Sequence, residues 1–199
     1  MKERPIIFGA ESVRAILAGR KTQTRRAIRR DLPIDFVGGQ DQRDDLSAWG
    51  YWVDDEYGRW AVLQRGLDQR YAHGCFSIPC PYGVSGDRLW VRETWSVSGN
   101  GPFYRADTMQ PETVHYSWRS PIHMPWVFSR LTLEITAVRV QRLQDISEED
   151  AKAEGVDRIV AKVPTYWDAF QYVWDDINGM RAPWESNPWV WALTFRRLK

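Results

Sequence analysis

The chain has 199 residues, 43% hydrophobic and 27% charged, a balance that excludes a largely disordered or collagen-like polymer and allows a packed core. Its 27 Lys and Arg nearly cancel its 26 Asp and Glu, so the formal charge of +1 excludes a chain-wide attraction to nucleic acid; any such binding has to be local. No apolar run approaches the roughly 18–20 residues of a membrane span, no signal-peptide stretch follows residues 1–5, and Cys75 and Cys80 are too few for a disulfide framework, so a cytoplasmic protein without membrane association is expected.

Residues 5–8, Pro-Ile-Ile-Phe, form a short apolar run suited to a buried strand, and Gly9 permits a turn out of it. Val13, Ile16 and Leu17 then make one apolar stripe of a helix, with Gly19 placed to stop it in the left-handed conformation. Between residues 20 and 30 stand six cations, Arg20, Lys21, Arg25, Arg26, Arg29 and Arg30, with no acid before Asp31. Thr22, Gln23 and Thr24 predict a strand leaving the helix, with Lys21 at the junction. In a regular strand residues 21 and 24 face opposite sides, so they share a site only if the backbone turns near Lys21 or Thr22.

Residues from about 31 to 75 read as an insertion: the first part is polar, and residues 49–63 resemble a hairpin around Asp54, Asp55, Glu56, Tyr57 and Gly58. Residues 88–95 alternate apolar with charged side chains and predict a strand; residues 103–105 and 113–116 are further candidates. The strongest strand spans 130–142, where the alternation slips near Ala137 and Val138 and predicts a bulge. Ser147 is a good N-cap for a short acidic helix that Gly155 ends; a second helix over 165–178 places Phe170, Val173, Trp174 and Ile177 on one stripe before Gly179. Residues 189–195 close as a mostly buried strand.

With these elements in place, residues 19–26, Gly-Arg-Lys-Thr-Gln-Thr-Arg-Arg, resemble the signature of the ASCH domain family within the PUA-like superfamily. Residues 86–91 are similar to that family's Gly-Asp turn and strand, 150–155 to its short helix ending in Glu-Gly, and 190–195 to its closing strand. The wording of 89–95 and 187–191 is similar to the larger phage and prophage branch. The resemblance implies an α+β fold: a PUA-like small, partly open mixed β-barrel with flanking short helices, carried as one domain over 1–199 with the insertion and its hairpin outside the match. It also implies a cleft that faces RNA, other single-stranded nucleic acid or a modified nucleoside. Some members are amidohydrolases that remove an acyl group from the N4 amine of cytidine, and another is described as a ribonuclease. The Lys, Thr and Glu of the hydrolases fall on Lys21, Thr24 and Glu154.

Those residue types are chemically suited to the task. Lys21 lies among Arg20, Arg25 and Arg26, whose charge disfavours its ammonium form and favours a usable base. Thr24 is then the nucleophile. Glu154, at the C-terminal end of its helix, faces the dipole that raises a carboxylate pKa and suits it to shuttle a proton; alternatively it activates water while Lys21 and Thr24 stabilise an oxyanion. The plainer reading makes Lys21 and Arg25 phosphate ligands, Thr24 an ordinary strand residue and Glu154 a solvated acid. Arg26 holds a phosphate or base edge, or pairs with Asp87 or Glu93.

Other chemistry has weaker support. His73, Cys75 and Cys80 lack paired metal-ligand spacing, so no metal or cofactor is expected. There is no nucleophile elbow, P-loop or deaminase His-x-Glu, and His115 and His123 stand isolated. Three functions remain in view: an amidohydrolase acting through Lys21, Thr24 and Glu154; a non-catalytic binder whose basic rim of Arg20, Arg25 and Arg26 holds phosphate while Trp90, Trp95 or Trp126 stacks a base; and a ribonuclease.

Overall fold

In the computed structural model, residues 1–28, 49–54, 59–64, 76–108 and 117–198 are described, those of the strands between 49 and 79 by their backbone alone. A five-stranded mixed sheet organises them. Strand β1 (Glu3–Ile7) runs parallel to β6 (Arg88–Arg92), which pairs antiparallel with β9 (Thr132–Arg142); β9 pairs antiparallel with β10 (Trp189–Arg197), and β10 with β2 (Gln23–Ala27). The spatial order is β1-β6-β9-β10-β2. β1 and β2 are the edges and do not pair with one another, so among the described residues the sheet stays open and no barrel closes. Strands β3 (Trp49–Asp54), β4 (Arg59–Gln64) and β5 (Phe76–Pro79) form a separate antiparallel sheet, in which β3 and β4 supply the hairpin expected over 49–63. β7 (Trp95–Ser98) and β8 (Gly101–Tyr104) form a second hairpin.

Hydrophobic alternation places a core on each face of the main sheet. On one face Trp191, Leu193 and Phe195 of β10 meet Leu133 and Ile135 of β9, Leu89 and Val91 of β6, and Val13 and Ile16 of helix α1 (Ala10–Leu17). On the other, Val190 and Leu143 meet Ala151 of α2 (Glu148–Ala153), Phe170 and Trp174 of α4 (Tyr166–Asn178), which follows the short α3 (Arg158–Ala161), and Trp184. β10 is therefore buried on both sides, as its near-continuous apolar run requires. Leu193 is fully buried, and its truncation to Ala costs about 2–5 kcal/mol.

Several boundaries differ from expectation for identifiable reasons. The strand predicted over 88–95 breaks at Glu93, whose buried carboxylate turns to Arg130 and takes two bonds, from Nε at 2.8 Å and Nη2 at 3.0 Å. The bulge falls at Thr136, which the register skips between the pairs Ala137–Thr194 and Ile135–Phe195. Leu17 is turned outward, and Ala15 is buried instead. Helix α4 ends at Gly179 in a right-handed conformation, φ −53°, rather than the left-handed one. Residues 113–116 and His115 lie outside the described residues.

Candidate functional site

The site forms where the chain leaves α1. Gly19 adopts φ +72°, and the reversal directs the amides of Arg20 and Lys21 onto the carbonyl of Ala15, at 2.8 and 3.1 Å. Lys21 then forms a single antiparallel bridge with Glu154, and the Thr22 amide donates to the Ala153 carbonyl at 2.8 Å. The C-terminal end of α2 is thereby fastened to the outer edge that β2 would otherwise expose. Helix α2 is started by Ser147, whose hydroxyl accepts from the Asp150 amide at 3.1 Å, and is left through Gly155 at φ +75°. A Cβ on Gly155 would lie 2.6 Å from the Cβ of Lys21 and 2.9 Å from that of Ala15, so only glycine permits the approach.

This docking buries a chain of alternating charges. The Lys21 ammonium donates to Glu154 Oε2 at 2.8 Å and to the Glu154 carbonyl at 2.7 Å; each residue is 6% exposed. Arg25 donates from Nη1 to Glu154 Oε1 at 3.0 Å and from Nη2 to Asp150 Oδ2 at 2.8 Å. Arg139 reaches the same Asp150 oxygen at 2.8 Å, and Gln23 Nε2 donates to Asp150 Oδ1 at 2.9 Å. Strand alternation explains the grouping: Gln23 and Arg25 share one face of β2 and look at α2.

Burial pushes the Lys21 ammonium pKa below the usual lysine range; Glu154 opposes this, and the nearby Arg26 and Arg25 add to it. Burial thus outweighs the like charges on which the sequence argument relied, and Arg20 is not among the causes. For Glu154, burial works upward but the charges of Lys21 and Arg25 overcome it and hold the carboxyl below its usual range. This corrects the expectation of a raised value: two cations in contact exceed the pull of a six-residue helix's dipole. Asp150 is held low as well, with burial opposed by the bonds from Gln23 and Arg139 and the charge of Arg25.

Thr24 is buried opposite Leu193, and none of the bonds made by Lys21 or Glu154 involves it. By alternation it shares a face with Arg26, on the side where the Phe8 ring centroid lies 5.2 Å from the Arg26 guanidinium carbon and 5.7 Å from Lys21 Nζ. Lys21 is separated from β2 by Thr22, and its ammonium leans toward the Phe8 ring, on the face that carries Thr24. Arg26 donates to the Ile7 carbonyl at 2.6 Å. Asp87 and Glu93 face Arg4 and Arg130 instead, which corrects the pairing considered for Arg26.

Arg20 is exposed and donates to the Gly155 carbonyl at 3.2 Å. It lines a cleft of about 440 Å³ with Thr22, Lys152, Gly155, Arg158 and Tyr166. The cleft does not include Lys21, Thr24 or Glu154, all three buried; Lys21 and Glu154 are the chain neighbours of its lining residues Thr22 and Gly155. Trp90 sits on the outer face of β6, with the Arg92 guanidinium 4.6 Å from its ring centroid; three strand spacings, about 14 Å, separate β6 from β2. Trp95 is 3% exposed, packed on Phe128 at 5.1 Å with Arg119 beside its ring, whereas Trp126 is 63% exposed. Neither Trp90 nor Trp95 borders the charge chain. Cys80 is a buried free thiol, pushed up to about 11 by burial, while His73 and Cys75 lie outside the described residues. Among the described residues no three His, Cys, Asp or Glu side chains cluster as metal ligands.

Gln23, Asp150 and Arg139 were not picked out from the sequence. A signal existed: Asp150 precedes Glu154 by four residues, one helical turn, and Gln23 precedes Arg25 by two, one strand repeat. The structure thus defines an α+β protein with an open mixed sheet and a buried Lys–Glu–Arg–Asp chain at one edge. No family model matches the chain, and no curated protein matches it. It is similar to the crystal structure of protein EF3133 from Enterococcus faecalis V583, of the DUF984 family, with a TM-score of 0.41 and 11% identity, covering 100% of this chain and 81% of that one. A likeness that distant carries no argument about activity. Among the described residues no helix is long and apolar enough to cross a membrane.

Proposed function

We propose that this chain is an ASCH-type, PUA-like protein acting on nucleosides or nucleic acid, and that Lys21, Thr24 and Glu154 hydrolyse the amide of an N4-acylated cytidine-type base. The observation that carries the reading is the buried 2.8 Å contact between Lys21 Nζ and Glu154 Oε2, in which burial weakens the hold of the lysine on its proton. Perturbed, paired groups of this kind are what proton-transfer catalysis needs.

In the proposed reaction Glu154 Oε2 takes a proton from Lys21. The neutral amine accepts the Thr24 hydroxyl proton as Oγ attacks the acyl carbon. Glu154 then gives its proton to the exocyclic nitrogen as the C–N bond breaks, which frees the amino base and leaves an acyl ester on Thr24. The same cycle with water in place of the Thr24 hydroxyl releases the carboxylic acid. Arg25 holds Oε1 so that Oε2 stays on Lys21. A second reading follows from the absence of a Thr24 bond to Lys21: Glu154, held ionised, activates water directly, and Lys21 donates to the oxyanion.

The test is product formation from N4-acetylcytidine and related acylated nucleosides by the wild type and by Lys21→Ala, Glu154→Ala and Thr24→Val. Loss of about 10²–10⁴ in kcat for the first two supports the hydrolase. Thr24→Val separates the two mechanisms, because only the first loses turnover with it. Absence of wild-type turnover, with salt-sensitive RNA binding retained, leaves a non-catalytic binding module.

A further inference from the structure

We propose that the cleft over the buried pair seats a phosphate, so that the ligand is a nucleotide, free or within a single strand, and not a bare nucleoside; this rests on the reading of the Lys21–Glu154 centre given above. Position comes first. Thr22 and Gly155 line the cleft, and they are the chain neighbours of Lys21 and Glu154, so the opening lies directly above the charge chain. Its volume of about 440 Å³ is that of a small-ligand site.

The charges in the cleft are arranged unlike several elsewhere in the fold. Arg4, Arg25, Arg130 and Arg139 each meet a carboxylate, whereas no salt bridge among the described residues engages Arg20, Lys152 or Arg158. Neutral groups aim these three cations instead. Arg20 Nη1 donates to the Gly155 carbonyl at 3.2 Å and Arg158 Nη1 to the Pro164 carbonyl at 3.1 Å, each bond using one of five guanidinium donors. The Tyr166 ring holds Arg158 at 5.3 Å and Lys152 at 5.8 Å from its centroid, so two cations from different helices converge on one side chain. Two acids also line the cleft: Asp157, which accepts from the Ile159 amide at 2.9 Å, and the exposed Glu149.

Three cations against two acids leave the lining net positive, and a neutral nucleoside makes no use of cations that no salt bridge engages. A phosphate does, because guanidinium forks match its oxygens bidentately and the ammonium adds a point charge. With a phosphate on Arg20, Lys152 and Arg158, the attached base is placed at the cleft floor, next to Lys21.

The experiment is calorimetric titration of the whole chain with cytidine, cytidine 5′-monophosphate, inorganic phosphate and a short single-stranded oligocytidine, repeated on the Lys152→Gln/Arg158→Gln variant and, separately, on Arg20→Gln. All three positions are exposed, and unchanged thermal unfolding checks the fold. The monophosphate is expected to bind at least about tenfold more tightly than cytidine, and the double variant to abolish that advantage. A free-nucleotide site binds monophosphate and oligomer alike; a strand site prefers the oligomer, with a salt slope that falls by about 0.7 for each cation removed. Equal binding of cytidine and monophosphate, no measurable monophosphate binding, or an advantage that survives in both variants overturns the proposal. Wild-type turnover of N4-acetylcytidine without a phosphate advantage sinks this inference alone. A phosphate advantage without turnover sinks the hydrolase reading alone.

Discussion

Replacing Glu154 by Gln keeps the side-chain shape and removes the carboxylate paired with Lys21. Arg25 retains Asp150 at 2.8 Å, so the loss falls mainly on Lys21, which is 6% exposed and keeps neutral acceptors alone, the backbone carbonyl of residue 154 and the new amide oxygen. Breaking a buried pair costs about 3–5 kcal/mol. The upper end has a physical limit, because Lys21 can escape by shedding its proton, and deprotonating an ordinary lysine at pH 7 costs about 4.6 kcal/mol. For a chain of 199 residues the melting temperature should fall by about 6–20 °C at neutral pH, read by circular dichroism. The deficit should also depend on pH at both ends. The folded-state pKa of Glu154 is depressed, so its stabilisation is complete above 4.5 and is lost as pH falls through the lower folded value. The folded-state pKa of Lys21 is also depressed, so its burial penalty is relieved as pH rises toward 10.5. Wild type and variant therefore converge at acid and alkaline pH. A Lys21→Met/Glu154→Gln double variant should recover at least half of the loss. A fall of less than 2 °C at pH 7, or a deficit that does not vary with pH, refutes the reasoning.

Gly155→Ala should destabilise by about 2–4 kcal/mol, the sum of a left-handed backbone and a Cβ 2.6 Å from that of Lys21; a denaturant midpoint equal to wild type contradicts it. Arg130→Met leaves the Glu93 carboxylate, 1% exposed, without its cation. Burial already raises the Glu93 pKa above 4.5, so the variant's deficit should be greater at pH 7 than at pH 5, and equal deficits would argue against an ionised Glu93. Cys80, at about 11, should resist iodoacetamide in the native state at pH 8 and react in denaturant, measured by mass spectrometry in a Cys75→Ser background.

Local rules carried much of the fold. The Val13–Ile16 stripe, the left-handed Gly19 and Gly155, the Ser147 cap and the two-faced burial of β10 all follow from neighbours within a few residues, and the sequence displays them directly. What escaped depends on distant partners. The break at Glu93 is set by Arg130, 37 residues on, and Ala15 displaces Leu17 from the core because it packs beneath Gly155. The candidate site divides in the same way. Lys21 and Glu154 were visible as a motif with a helix end, but the sign of the Glu154 shift was not, since Arg25 reaches it across 129 residues of sequence. Nothing local distinguished Trp90 on an outer face from Trp95 in the interior.

The order β1-β6-β9-β10-β2 also has a temporal meaning. Residues 23–27 are made well before 189–197, their strand partner in the sheet among the described residues. β2 has no strand to pair with before that segment exists, and closing so long a loop afterwards carries an entropic cost. Arg25 takes its place on Glu154 and Asp150 only once β2 has joined β10, so the full charge chain needs both a local docking on α2 and a pairing across most of the sequence.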